Sequence, residues 1–129
     1  MVVADTFNYK VEQFADLQIL RYRVHGFEDL SLKQKELIYY LSQAALEGRD
    51  ILFDQNGKYN LTIRRMLEAV YTEYQGDRGN INFINMETYL KRVWFSNGIH
   101  HHYGSDKFVP GFTPKFFKAA LLSIDTDKL

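Results

Sequence analysis

The chain has 129 residues, 46% of them apolar and 16% aromatic, which fits one globular domain and excludes a disordered tail. Sixteen Lys/Arg balance sixteen Asp/Glu, so no long-range positive field is available to draw nucleic acid or an anionic membrane. Cysteine is absent, which rules out disulfides, thiolate zinc sites and cysteine nucleophiles.

No apolar run approaches the ~20 residues of a membrane span. Met1-Val2-Val3-Ala4 is too short for a signal peptide and is followed at once by Asp5, so the expected compartment is cytoplasmic. Residues 1–30 read as an irregular arm. Within it Leu20, Tyr22 and Val24 alternate as in a strand that ends at His25-Gly26. A lone strand makes no sheet, so a partner outside the chain, or packing along helices, is expected for it.

About four helices follow, and the fold class is mostly α with one short strand. The first spans 32–47: Ser31 and Gln34 form a capping box, Leu37, Leu41, Ala44 and Ala45 recur at helical spacing, and Gly48 is placed to end it in a left-handed conformation. Asp54-Gln55-Asn56-Gly57 is turn chemistry. The second helix, 58–75, aligns Tyr59, Ile63, Met66, Leu67, Val70 and Tyr74 on one stripe before Gly76. The third, 84–97, carries Met86, Leu90, Val93 and Trp94. The fourth, 114–124, opens with Thr113 as cap and Pro114 at its first position, and buries Phe117, Ala120, Leu121 and Ile124. The basic pairs Arg64-Arg65 and Lys91-Arg92 fall on solvated helix faces.

Residues 98–112 form a long loop holding Ile99, His100-His101-His102, Tyr103, Gly104, Phe108, Val109 and Gly111. Loops of this length inside compact domains are functional or disordered, and the aromatic content argues against disorder. His100 and His102 could share a face of an extended backbone. A catalytic zinc, however, takes three protein ligands at about 2.0–2.2 Å, and the remaining histidine, His25, is remote in sequence. A polar cleft-lining cluster is the expected role, with no metal bound by this chain.

Other motifs are weaker. Counted from Asp54, a calcium loop would need glycine at the sixth position and glutamate at the twelfth; glycine comes too early, at Gly57, and Arg65 stands where the glutamate belongs. Asn60-Leu61-Thr62 matches a glycosylation acceptor but lies in a predicted helix. Ser42, Ser96, Ser105 and Ser123 occupy no nucleophile elbow, and Glu36, Glu47, Asp50 and Glu68 read as solvated carboxylates. No catalytic residue is assigned. Nine Tyr and ten Phe exceed what four helices need for one core, which leaves either an aromatic-heavy core or a surface that a partner covers.

The stretch Val93-Trp94-Phe95-Ser96-Asn97-Gly98-Ile99-His100-His101-His102-Tyr103-Gly104-Ser105-Asp106-Lys107-Phe108-Val109-Pro110 resembles the N-terminal region of the dipeptidyl peptidase III family. The family carries an Asn/Gly turn, an aromatic-Gly pair and then Lys-Phe-Val-Pro there. Leu37 to Ala45 is similar to the family's first long helix, and Phe14 to Tyr22 to the opening segment of bacterial members. The resemblance spans nearly the whole chain. It implies the N-terminal piece of a larger two-lobed α+β zinc exopeptidase that removes dipeptides from the N-termini of oligopeptides. The implied zinc ligands, a His-Glu-x-x-Gly-His helix and a later glutamate, are not in this sequence. They would belong to a zinc-bearing lobe formed by the remainder of the enzyme. The chain, residues 1–129, would then be part of the substrate-side lobe, inactive alone. His102, Tyr103 and Gly104 would bind the oligopeptide; Asn97, Gly98, Lys107, Phe108 and Pro110 would shape the loop. Two alternatives stand beside this: a free-standing, non-catalytic helical interaction module, and a small metal-binding domain built on the histidine loop.

Overall fold

A computed structural model describes residues 6–125. The apolar start Met1 to Ala4 and the last four residues lie outside the described part. The chain divides into two compact units, Met1–Leu46 and Glu47–Leu129.

The first unit opens with a β-hairpin. Strand β1 (Lys10–Phe14) pairs antiparallel with β2 (Leu17–Leu20). The tight turn between them needs Ala15 in the left-handed region, at φ 48°. The register sets Phe14 opposite Leu17 and Glu12 opposite Ile19, with an irregularity between Lys10 and Glu12 that leaves Val11 as the extra residue. The hairpin supplies a strand partner within the chain, where the sequence alone suggests packing along helices or a partner outside it. Its partner strand was hidden because Lys10-Val11-Glu12-Gln13-Phe14 is mostly polar and four of its five residues are exposed, so no alternation marks it. The strand also ends earlier than the Leu20, Tyr22, Val24 pattern suggests; Tyr22 and Val24 lie beyond it, both largely exposed. The Arg21 and Arg23 guanidiniums stand 4.9 and 4.6 Å from the Phe7 ring centre.

Helix α1 (Leu32–Glu47) completes that unit, apart from its last residue. Its capping box forms as the sequence indicates: Ser31 N–H donates to Gln34 Oε1 at 2.9 Å, and Gln34 N–H to Ser31 Oγ at 3.4 Å. None of its sixteen residues is buried. Leu37, Leu41, Ala44 and Ala45, expected as a core stripe, are all exposed. Gly48 does not take the left-handed conformation; at φ −77° it passes directly into a further helix.

Among the described residues, the helices of the second unit are four. The short helix α2 (Arg49–Asn56) occupies the segment that turn chemistry had suggested would be irregular, and it buries Phe53. Helices α3 (Asn60–Glu73), α4 (Ile81–Ser96) and α5 (Pro114–Leu122) match the remaining three expected helices with ends shifted by a few residues. The chain is therefore mostly α with one two-stranded sheet. Met86, Leu90 and Val93 of α4 are fully buried against Leu67 and Val70 of α3, with Ala120 from α5 and Ile124 just after it closing the core. Phe53, Phe83 and Tyr89 are buried in this core, and further rings pack against it: Phe83 is stacked at 5.4 Å on Tyr74, which stands edge-on to Phe116. Tyr59, expected on the buried stripe, is 63% exposed.

Arg64 departs from the solvated face expected of it. Its side chain is only 13% exposed, lies 4.6 Å over the Phe53 ring and donates to Asp50 at 2.7 Å. Asp50 also receives Arg65 at 2.9 Å, so α2 is clamped to α3 by one carboxylate and two guanidiniums. Hydrogen bonds from Arg64 and then Arg65 hold the Asp50 carboxyl below its ordinary pKa.

Candidate functional site: the histidine loop and its cavity

The loop after α4 is built rather than slack. Asn97 ends the helix in the left-handed conformation, φ 52°, and its N–H and that of Gly98 both bond to Val93 O. Two strand-like backbone bonds then close the loop on itself: Phe108 N–H to Ile99 O at 2.8 Å and His101 N–H to Asp106 O at 2.8 Å. His100 and Lys107 form an antiparallel bridge between them, and Gly104 N–H returns to His101 O at 3.0 Å.

Four asparagines tie this loop to the helices, and sequence reasoning assigned this role to none of them. At the entry Asn56 Nδ2 donates to Asn97 O at 3.2 Å, and Asn60 Oδ1 accepts Ile99 N–H at 3.3 Å. At the exit Asn85 Nδ2 donates to Gly111 O at 2.7 Å, and Asn82 Oδ1 accepts Thr113 N–H at 3.0 Å. Thr113 in turn caps α5 through Phe116 N–H, as expected. One signal was available. Asn60 stands three and seven residues before Ile63 and Leu67, on the apolar stripe of its helix, where an amide must find a partner.

Of the proposed substrate-binding residues, Tyr103 projects furthest, at 89% exposed, with His102 and Gly104 exposed beside it. His102 is flanked by three rings: Tyr103 at 4.1 Å, His101 at 4.4 Å and, edge-on, Phe95 at 5.0 Å. The loop-shaping residues divide. Gly98 is buried, and a Cβ there would collide with the Asn60 amide. Phe108 packs on the core edge, with the Arg92 guanidinium 5.1 Å over its ring. Lys107 is exposed and contributes its backbone, while Pro110 is exposed and lines a small apolar hollow with Phe112 and Phe117.

Under the loop lies a cavity of about 340 Å³ walled by Asn56, Asn60, Ser96, Gly98 and the three histidines, with Gly104 and Ser105 at its edge. Among the described residues, no Lys, Arg, Asp or Glu lines it. His101 Nδ1 accepts Tyr103 N–H at 3.2 Å, so the proton of the neutral ring sits on Nε2. No group of three or more His, Asp or Glu side chains able to hold a metal ion occurs among the described residues. Nor is any helix among them long and apolar enough to cross a membrane.

Comparison of the chain with family models and with curated proteins finds no significant match to either.

Proposed function

We propose that this chain supplies one wall of the peptide cleft of a zinc-dependent dipeptidyl peptidase of the dipeptidyl peptidase III type. The observation that carries the reading is the loop: a rigidly tied segment presenting Tyr103 almost wholly to solvent beside His102 and the small Gly104. Rigid presentation of an amphipathic ring lowers the entropy cost of holding a flexible peptide. Gly104, beyond which a Cβ would meet nothing within 4 Å, leaves room for a peptide backbone to approach. Together with the sequence resemblance, this supports peptide contact by His102, Tyr103 and Gly104. Zinc, held by residues outside this chain, would activate the attacking water; the chain's own part is to position the oligopeptide. The compartment consistent with this role is the cytoplasm.

The α1 surface supports a covering partner. Leu37, Ile38, Tyr39, Tyr40 and Leu41 are each between 44% and 68% exposed on a helix with nothing buried. Under the peptidase reading that partner is the zinc-bearing remainder of the enzyme. The same observation favours, as a second reading, a non-catalytic interaction module. The coding sequence past Leu129 separates them: an open frame into a His-Glu-x-x-Gly-His helix supports the peptidase, and a stop codon with no partner gene for the rest favours the module. In solution, an oligopeptide should shift the Tyr103 and Gly104 amide resonances, and the chain with zinc alone should release no dipeptide. Dipeptide release by the chain alone, or peptide shifts confined to other residues, would overturn the assignment.

A further inference from the structure

The chain contains two Asn-Gly steps, Asn56-Gly57 and Asn97-Gly98, and the fold joins them: Asn56 Nδ2 donates to Asn97 O at 3.2 Å. Asparagine is a thermolabile residue. Before glycine it is most so, because no side chain on the next residue obstructs the approach of that residue's backbone nitrogen to the asparagine Cγ. In a folded chain the reaction requires that nitrogen to lose its proton to solvent and to turn toward the side chain. The two steps differ on both counts.

Asn97-Gly98 is locked. Gly98 is buried, its N–H bonds to Val93 O at 3.1 Å, and Asn97 is fixed in the left-handed conformation that caps α4. On the other side, Ile99 N–H donates to Asn60 Oδ1 at 3.3 Å and Ile99 O accepts Phe108 N–H at 2.8 Å. Turning the Gly98 nitrogen would disturb all of these together. Asn56-Gly57 is held far less. Asn56 is exposed and is the last residue of α2, where helices fray. Gly57 is half-buried, and its N–H reaches Asp54 O only at 3.4 Å, longer than the usual range of about 2.7–3.2 Å. The better bond of this residue, from Asn60 N–H to Gly57 O at 2.9 Å, lies at the opposite end from the reacting nitrogen.

We propose that Asn56 is a site of spontaneous deamidation, and that its conversion releases the entry of the histidine loop. The Gly57 nitrogen, deprotonated by hydroxide, forms a bond to Asn56 Cγ; the Cγ–Nδ2 bond breaks, ammonia leaves and a succinimide ring closes. Water then opens the ring, at Cγ to give aspartate or at the backbone carbonyl to give isoaspartate. The net change is amide plus water to carboxylate plus ammonium, with nothing oxidised or reduced. Either product loses the Nδ2 donor that holds Asn97 O. An ionised carboxylate has acceptors only, so the tie becomes a repulsion between oxygens. Isoaspartate also adds a methylene to the backbone between α2 and α3. The proposal does not rest on the peptidase reading, and peptide contact at Tyr103 stands or falls separately.

The test incubates the full chain at mildly alkaline pH, folded and in urea, and follows both Asn-Gly steps by peptide mass spectrometry, with isoaspartate identified by enzymatic methylation. In urea the two steps should react at comparable rates. In the folded chain Asn56 is expected to react at least about tenfold faster than Asn97. The structural consequence is read by amide hydrogen exchange in Asn56→Asp, a change at an exposed position that should fold. Its Gly98 and Ile99 amides should exchange about threefold to tenfold faster than in the parent, the loss of one hydrogen bond, while Leu90 in the core is unchanged. On ageing, the parent should drift toward the Asn56→Asp pattern, and Asn56→Gln, whose longer side chain cyclises far more slowly, should not. Equal folded-state rates at the two steps, faster reaction at Asn97, or parental exchange at Gly98 and Ile99 in a folded Asn56→Asp variant would each overturn the proposal.

Discussion

Gly98→Ala tests the packing logic that holds the loop against the helices. A Cβ on Gly98 would overlap the Asn60 side-chain amide, and Asn60, only 2% exposed, is enclosed by its neighbours. Forcing one extra methyl into a filled space costs about 1–3 kcal/mol. If Asn60 swings aside, Ile99 N–H loses its acceptor, which adds about 1–3 kcal/mol for an orphaned amide. The expected destabilisation is therefore about 2–6 kcal/mol. Urea unfolding followed by the fluorescence of Trp94, the single tryptophan, reads the second unit directly. The decisive comparison is a double-mutant cycle. Asn60→Ala already sacrifices the Ile99 bond and opens space for the new methyl, so Gly98→Ala should cost about 1–3 kcal/mol less on that background. Additive effects, or a loss below about 0.5 kcal/mol for Gly98→Ala alone, would refute the proposed contact between Gly98 and Asn60.

Three further outcomes are expected. The depressed Asp50 pKa means that its pairing with Arg64 and Arg65 contributes fully above about pH 4 and is lost as pH falls through the lowered folded value; acid unfolding of Asp50→Asn should lack that component, and identical acid profiles would contradict it. Burial raises the Tyr89 pKa above its ordinary value, so the folded chain holds that proton longer than the unfolded one. Stability should then decline as pH rises above about 10, and a Tyr89→Phe variant should show a smaller alkaline loss, measured by thermal melts across that range. Leu41→Glu on the exposed face of α1 should change unfolding by less than about 0.5 kcal/mol while reducing self-association in sedimentation; a monomeric parent chain at high concentration would remove the basis for a covered α1 surface.

How much could be read from residues alone varied with how local the determinant was. The Ser31–Gln34 box and the Thr113-Pro114 helix start are satisfied within three residues, so their chemistry is visible in the sequence. The buried stripe of α4 shows equally well, because Met86, Leu90 and Val93 repeat at the helical period. Helix α2 was obscured by Asp54-Gln55-Asn56, residues that favour turns in isolation. Its stability comes from burying Phe53 and from Asp50 meeting two arginines fourteen and fifteen positions away. The site divides the same way. His102, Tyr103 and Gly104 stand out as an aromatic-rich run, whereas Asn60 and Ser96 are inconspicuous until α3 and α4 pack and bury their side chains.

By itself, then, the sequence determined the elements whose causes lie within a turn or two of chain: the helix caps, the 3.6-residue apolar stripes, and a loop too aromatic to be disordered. Tertiary structure alone decided which stripes are buried, and it left α1 uncovered while burying an asparagine and a serine elsewhere. Hydrophobic periodicity states that a face prefers to leave water, but not whether a neighbour is present to receive it. Nor can pattern alone locate the four asparagine ties, since each joins groups 26 to 41 residues apart whose meeting depends on how the helices pack.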